Sequence, residues 1–231
     1  MTILLAFDND GVLRDESVSY QRCVVETVAF FDHGAPATEK ELTDSLKQSN
    51  DDWDRTHKIL QQRGINVDFE AVKEHFQDLY LGEGRDFTGY INDEPWLADN
   101  TSLAKLADVY PLAIVSGAPI DEIKYTLKRN QALDFFSAIW GMFECNGKND
   151  GLEKAIAHFG AQKVLFCDDR PSPLREASKL KGKYDVEVYG IIPPNAPEGW
   201  NEILQDAGAV KVYSNVREYC TELLERRPTL L

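Results

Sequence analysis

Near its N-terminus the chain reads Ile3-Leu4-Leu5-Ala6-Phe7-Asp8-Asn9-Asp10-Gly11-Val12-Leu13, and the rest of the sequence is organised around this segment. Its initial apolar run is short enough for a buried strand and too short for a helix. Asp8 and Asp10 follow two residues apart, a spacing that puts both side chains on one face of a strand. Neighbouring carboxylates repel each other unless a cation or a shared proton lies between them. Mg²⁺, which prefers oxygen ligands, is the natural cation for such a pair.

The same four residues, Asp-Asn-Asp-Gly, are also common in turns, so an ordinary turn after a strand is the alternative interpretation. Gly11 suits both interpretations, because glycine adopts backbone angles that other residues avoid and lets the chain turn sharply. The remainder of the chain decides between them.

The composition is that of a folded protein. The 231 residues are 43% hydrophobic and 28% charged, and this length suggests one or two domains. Lys and Arg total 25 against 39 Asp and Glu, which gives a formal net charge of −14. Such a charge disfavours general binding to nucleic acid or to anionic membranes. We therefore expect no nucleic-acid partner and no membrane partner.

The four cysteines lie at positions 23, 145, 167 and 220. No pair has zinc-site spacing, and a chain of this length does not need disulfides, so a reducing compartment is expected. The N-terminal apolar run has no basic segment before it and soon meets Asp8, unlike a signal peptide or a membrane span. We predict a cytoplasmic protein, and the sequence carries no signal for its oligomeric state.

Residues 17–82 show helical periodicity and no convincing strand. We expect helices that begin near residues 17, 38, 51 and 69 and pack as a small bundle with its own core. Glycines and a proline in residues 82–95 coincide with a change in composition. This pattern predicts a loose return segment that serves as a hinge.

After this segment, apolar strands alternate with helices. Strands are predicted at residues 112–115, 138–140, 164–167, 186–191 and 210–212, and helices at about 98–107, 119–130, 150–159, 171–180, 197–207 and from Ser214. Such alternation predicts a parallel sheet that is covered on both faces. The predicted fold is α/β: a doubly wound, Rossmann-like core of residues 1–14 and 94–231, with a helical bundle of residues 15–93 inserted after the first strand.

In open parallel sheets the ligand site lies beyond the carboxyl ends of the strands. The polar residues found there are Asp8 and Asp10 after the first strand, Ser116 and Gly117 after the second, Lys148 beyond the third, and Asp168 with Asp169 after the fourth. Each has an ordinary alternative role as a helix cap, a solvated loop lysine or an acidic helix N-terminus. Together they favour one site, and we expect the carboxylates of Asp8 and Asp169 to lie close enough to share a cation.

The chain resembles the haloacid dehalogenase-like (HAD) hydrolase superfamily. Its four motifs match in order at Phe7–Leu13, Ile114–Gly117, Gly147-Lys148 and Val164–Asp169. The first motif is highly specific when it occurs with the fourth, whereas the middle two are permissive. The inserted helices resemble the alpha-helical cap of that superfamily.

The resemblance implies a role for each matching residue. Asp8 would be the nucleophile that forms an aspartyl-phosphate. Asp10 would protonate the leaving oxygen and then deprotonate the water that hydrolyses the intermediate. Ser116 and Lys148 would act on the phosphoryl oxygens as catalytic groups, with Gly117 also binding the substrate.

The implied metal ligands include a departure from the usual pattern. Mg²⁺ would be held by Asp8, by the main-chain carbonyl of Asp10 and by an acid of the fourth motif, which usually reads Gly-Asp-x-x-x-Asp. Here Asp168 replaces the glycine, and Pro173 stands where the later acid would be. Asp169 aligns with the metal-binding position, with Asp168 as an assisting ligand.

Three arginines are further candidates for a functional role. Arg14, Arg22 and Arg170 are candidates for steering an anionic substrate, although arginines are more often ordinary surface residues.

The resemblance implies a Mg²⁺-dependent phosphatase that acts on a small phosphorylated metabolite, with the cap closing over the site. Two alternatives stay open. A sugar phosphomutase would pass the phosphoryl group to another hydroxyl, and a non-catalytic regulator would bind a phosphorylated ligand without turning it over.

Overall fold

The computed structural model describes residues 1–46, 48–49 and 51–230. The chain forms two compact units. The first combines Met1–Asp15 with the chain from Pro95 onward, and the second is Glu16–Glu94.

The first unit contains a six-stranded parallel sheet of β1 (Ile3–Phe7), β2 (Leu112–Val115), β3 (Ala138–Trp140), β4 (Lys163–Asp168), β5 (Asp185–Ile191) and β6 (Lys211–Tyr213). The strand order is β3-β2-β1-β4-β5-β6. The chain therefore winds outward from β1 to β3 and then returns to β4 on the other side of β1. In doubly wound sheets the ligand site lies at this reversal of strand order.

The second unit consists of α1 (Ser17–Phe31), α2 (Glu39–Leu46), α3 (Asp52–Gln62) and α4 (Phe69–Leu81), followed by 3-10 turns at Glu83–Arg85 and Tyr90–Asp93. The return segment, expected to be loose, thus contains two short helical turns. Arg63, at the end of α3, lies 2.6 Å from both Asp32 and Glu41. It thereby ties α3 to the connection between α1 and α2.

The helices of the first unit are α5 (Asn100–Ala107), α6 (Ile120–Arg129), α7 (Gly147–Phe159), α8 (Pro171–Ser178), α9 (Trp200–Asp206) and α10 (Val216–Leu230). Further 3-10 turns lie at Leu133–Phe135 and Lys179–Gly182. The predicted boundaries are largely within three residues of these. No helix in the described part of the chain has the length and hydropathy that crossing a bilayer requires.

The sheet is buried on both faces. Residues of β1 are at most 2% exposed. Ile3, Leu5 and Phe7 pack in one hydrophobic cluster, whereas Leu4 and Ala6 pack in another. Because successive strand residues point to opposite faces, a strand covered on both sides reads as a continuous apolar run. The predicted α/β, Rossmann-like fold is confirmed.

Candidate active site

The loop after β1 directs Asp8 and Asp10 toward the carboxyl edge of the sheet. The N–H of Asn9 donates to Asp8 Oδ1 at 2.7 Å, and the N–H of Leu13 donates to the carbonyl of Asn9 at 2.8 Å. Gly11 has a φ of +70°, in the left-handed region that favours glycine. The segment therefore forms a turn, and this turn also contains the two acids Asp8 and Asp10.

Three acids converge on one point. Asp8, Asp168 and Asp169 each offer a carboxylate oxygen, and these oxygens lie within 4.8 Å of one another. The three residues are at most 6% exposed. Asp8 is far in sequence from Asp168 and Asp169. The three residues meet because β1 pairs with β4, with Phe7 opposite Cys167. The expected proximity of Asp8 and Asp169 is thus present in the structure.

Lys148 supplies the positive charge in this cluster. Its Nζ lies 2.7 Å from Asp8 Oδ1 and 3.0 Å from Asp168 Oδ2, and it donates to the carbonyl of Val115 at 2.9 Å. Burial alone would lower the pKa of Lys148, but Asp168 and Asp8 outweigh burial and raise that pKa well above its ordinary value. Lys148 therefore remains an ammonium group.

The sequence placed Lys148 in a loop before a helix beginning near Asp150, and this boundary was wrong. Helix α7 begins at Gly147, so Lys148 lies in its first turn and is 8% exposed. Glycine and asparagine are weak helix formers, which hid the first turn of α7 from the sequence pattern.

Burial has the opposite effect on Asp168. Loss of hydration raises the pKa of this carboxyl, and the nearby charge of Asp8 raises it further. Lys148 opposes both effects, and Asp168 Oδ1 also accepts the N–H of Arg170 at 2.9 Å. The cluster therefore holds more negative charge than one ammonium group neutralises, which favours binding of a further cation.

Ser116 and Gly117 follow β2 at the same edge. Ser116 is 3% exposed, and its Oγ accepts the N–H of Ala118 at 3.2 Å. Gly117 is exposed. Since Lys148 bonds to the carbonyl of Val115, its ammonium group lies beside the residue that precedes Ser116.

The Asp10 carboxylate is bound by a different set of partners. Its Oδ1 lies 2.6 Å from Arg14 Nε and accepts Asn9 Nδ2 at 2.7 Å. Burial would raise the pKa of Asp10, but the charge and hydrogen bonds of Arg14 and its neighbours outweigh it and lower that pKa. Arg14 and Asn9 thus both hold the Asp10 side chain through its Oδ1 atom.

The three arginines have different environments. Arg14 is wholly buried, so the interpretation of Arg14 as an ordinary surface arginine is wrong. Arg22 lies in the second unit, where it stacks on Tyr90 and pairs with Glu26. Arg170 Nε is 3.8 Å from Asp169 Oδ2. Of the three, Arg14 is the residue whose burial and contact with Asp10 sequence reasoning missed.

Gly11→Ala is expected to damage this site. A Cβ at Gly11 would overlap Asp169 Oδ2, and the positive φ adds about 1–2 kcal/mol of strain for a residue with a side chain. We expect Asp169 to be displaced, so that addition of Mg²⁺ should raise the thermal unfolding temperature of this variant less than that of the wild type. Gly182→Ala is the control, because a Cβ there meets nothing within 4 Å. An unchanged Mg²⁺ response in Gly11→Ala would contradict the assigned contact.

Comparison with known protein sequences finds curated relatives but no family model. No protein-family model matches the chain. A curated relative from Phytophthora nicotianae, named imidazoleglycerol-phosphate dehydratase, is 28% identical over 244 residues, which cover 97% of this chain and 53% of the relative. The chain thus spans about half the length of that curated relative.

Solved structures match over nearly the whole chain. A protein from Thermotoga maritima, whose name proposes a beta-phosphoglucomutase, is 20% identical with a TM-score of 0.75, covering 97% of this chain and 99% of that chain. A haloacid dehalogenase-like hydrolase from Streptococcus pneumoniae is 15% identical with a TM-score of 0.72 and 98% coverage of both chains. The chain therefore has the haloacid dehalogenase-like fold, as its four sequence motifs predict.

Proposed function

We propose that the chain is a Mg²⁺-dependent phosphatase that hydrolyses a small phosphorylated metabolite through an aspartyl-phosphate on Asp8. The observation that carries this proposal is the buried cluster in which Asp8, Asp168 and Asp169 converge and Lys148 contacts two of them. A phosphate dianion is repelled by carboxylates at this distance unless cations offset the repulsion. The cluster combines a nucleophilic oxygen on Asp8 with an ammonium group on Lys148 and acids that would hold a cation, and these positive charges would attract the dianion.

The donor set fits a hard divalent cation. Asp8, Asp168 and Asp169 offer only carboxylate oxygens, which Mg²⁺ prefers. We assign these three acids, with the main-chain carbonyl of Asp10, as the residues that would hold the ion. When bound, Mg²⁺ would supply Lewis-acid stabilisation of charge on the phosphoryl oxygens.

In the first step, a carboxylate oxygen of Asp8 forms a bond to phosphorus while the bond from phosphorus to the leaving oxygen breaks. Asp10 enters this step in its protonated form and gives that oxygen its proton. In the second step, water attacks the phosphorus, Asp10 takes the proton of the water, and the carboxylate of Asp8 leaves. Lys148 and Ser116 bind the phosphoryl oxygens throughout, and Lys148 keeps its proton because of its raised pKa.

The names of similar proteins support a phosphorylated substrate. The relative from Phytophthora nicotianae is named for a phosphate ester, and the protein from Thermotoga maritima for a sugar phosphate. The second name favours a phosphomutase as the second candidate. A phosphomutase would transfer the phosphoryl group to another hydroxyl with little release of inorganic phosphate, and a phosphatase would release it.

The remaining assignments follow from the same reasoning. We assign residues 16–94 the role of a cap that selects the substrate. The net charge of −14 supports a small-molecule partner and not a nucleic acid. The four cysteines are free thiols, which supports a cytoplasmic location.

Turnover of p-nitrophenyl phosphate in the presence of Mg²⁺ is the direct test. We expect release of inorganic phosphate, a fall of at least about 100-fold after chelation of divalent ions, and recovery when Mg²⁺ is added back. The measurement is kcat with each of several divalent ions. Absence of turnover with all of them would overturn the proposal, and tight binding of a phosphate ester without turnover would favour the non-catalytic alternative.

A panel of phosphate monoesters would then narrow the substrate class. It should include sugar phosphates and imidazole-bearing phosphates, since similar proteins are named for these compounds. The substrate with the highest kcat/KM identifies the class.

A further inference from the structure

Arg14 is 0% exposed, and a charged side chain is almost never fully buried unless it is paired. Its Nε lies 2.6 Å from Asp10 Oδ1. Its Nη1 donates to Thr126 Oγ1 at 3.2 Å, and its Nη2 lies 3.9 Å from Glu122 Oε2. Glu122 and Thr126 are buried residues one turn apart on α6. Arg14 therefore connects the loop after β1 to a helix on the neighbouring part of the core.

This connection fixes one oxygen, Oδ1, of the Asp10 carboxylate. Arg14 Nε and Asn9 Nδ2 both donate to Oδ1 of Asp10, while the Asp10 side chain stays 23% exposed. Because both donors hold the same oxygen, rotation of the carboxylate is restricted and Oδ2 is the oxygen left to face a reacting group.

We infer that Arg14 is a positioning residue: anchored by Glu122 and Thr126, it holds Asp10 by Oδ1 so that Oδ2 exchanges the proton with the leaving group and with water. The inference rests on the proposed phosphatase function, which gives Asp10 its proton transfers. A planar guanidinium can contact Asp10 and Thr126 at once through separate nitrogens, whereas a lysine ammonium is a single point charge. Arg14→Lys therefore keeps the charge and loses the geometry.

The leaving group of the substrate distinguishes a positioning role of Arg14 from a purely structural role. An alkyl phosphate expels a strongly basic oxygen that needs a proton, whereas p-nitrophenyl phosphate expels a weakly basic one that does not. Loss of a positioned acid must therefore reduce kcat/KM for the alkyl ester more than for the aryl ester. General damage to the fold would reduce both values equally.

The test measures kcat/KM for glycerol phosphate and p-nitrophenyl phosphate in four proteins: the wild type, Arg14→Lys, Asp10→Asn and the double variant. We expect Arg14→Lys to lose about tenfold or more on the alkyl ester and less than about threefold on the aryl ester. In the Asp10→Asn background, Arg14→Lys should cause no further loss. The matched control is Arg175→Lys, at an exposed arginine of α8, which should change neither value.

Equal losses on both esters, or a further loss in the Asp10→Asn background, would overturn the positioning role and leave the phosphatase function intact. An inactive wild type would overturn both. If Arg14→Lys fails to fold, Thr126→Val replaces it, because that near-isosteric change removes only the hydroxyl that anchors Arg14. The same selective loss on the alkyl ester is expected, with a smaller amplitude, and its absence would overturn the inference.

Discussion

Asp8→Asn is expected to lower kcat for p-nitrophenyl phosphate by about 10³-fold or more, because a neutral amide is not a nucleophile toward phosphorus. The fold should be retained. Lys148, the buried partner of Asp8, keeps its contacts with Asp168 at 3.0 Å and with the carbonyl of Val115 at 2.9 Å. The measurement is kcat together with the thermal unfolding midpoint.

Chemical trapping adds a second readout for Asp8. After acid quench during turnover, the wild-type peptide that contains Asp8 should carry a phosphoryl group, and the Asp8→Asn peptide should not. Asp99→Asn is the matched control, because Asp99 caps α5 by accepting the N–H of Ser102 at 2.8 Å and asparagine caps helices equally well. More than a tenth of wild-type activity in Asp8→Asn would contradict the assigned nucleophile.

Lys148→Met should have the largest effect on stability. It removes the ammonium group between Asp8 and Asp168 and leaves buried carboxylates without that partner. Breaking a buried ion pair on one side typically costs about 3–5 kcal/mol of unfolding free energy. We expect a loss of this size in denaturant unfolding without divalent ions, a partial recovery with Mg²⁺, and loss of turnover.

The pH dependence of this loss has a definite sign. Burial already raises the pKa of Asp168 in the wild type, and removal of Lys148 raises it further. A carboxyl whose folded-state pKa is raised contributes stability at low pH that disappears as the pH rises through that pKa. The deficit of Lys148→Met should therefore be smaller near pH 4, the ordinary carboxyl range, than at neutral pH.

Lys154→Met is the matched control for this variant. Lys154 lies on the same helix with its side chain 46% exposed and pairs with Asp150 at the surface, where ion pairs contribute little. A Lys148→Met protein as stable and as active as Lys154→Met would show that the buried ammonium group has neither role.

Much of the fold could be predicted from the sequence because local pattern reports burial. The apolar run Ile3–Phe7 predicted a strand covered on both sides, and β1 is buried in two separate clusters. The helical periodicity of residues 17–82 predicted a bundle, in which Val24, Ile59 and Phe76 are buried. Helix starts were less accurate, since the first turn of a helix has no hydrophobic period of its own.

Part of the site could also be predicted. The positions of Asp8, Ser116 and Asp169 follow from the rule that ligands bind beyond the carboxyl ends of parallel strands. The chemistry of Lys148 could not be read in the same way, because an isolated lysine after glycine has the pattern of a solvated loop. Its burial depends on contacts with Asp8, which directly follows β1, with Asp168 at the end of β4 and with Val115 at the end of β2.

The sequence by itself determined the order of strands and helices, the inserted bundle and the set of polar residues at the sheet edge. These features follow from the local sequence pattern and from the order of segments along the chain. Only the tertiary structure decided that Arg14 is an internal partner of Asp10 and not a surface arginine. The physical reason is that burial and pairing of a charge are fixed by residues distant in sequence, here Glu122 and Thr126, which packing brings beside it.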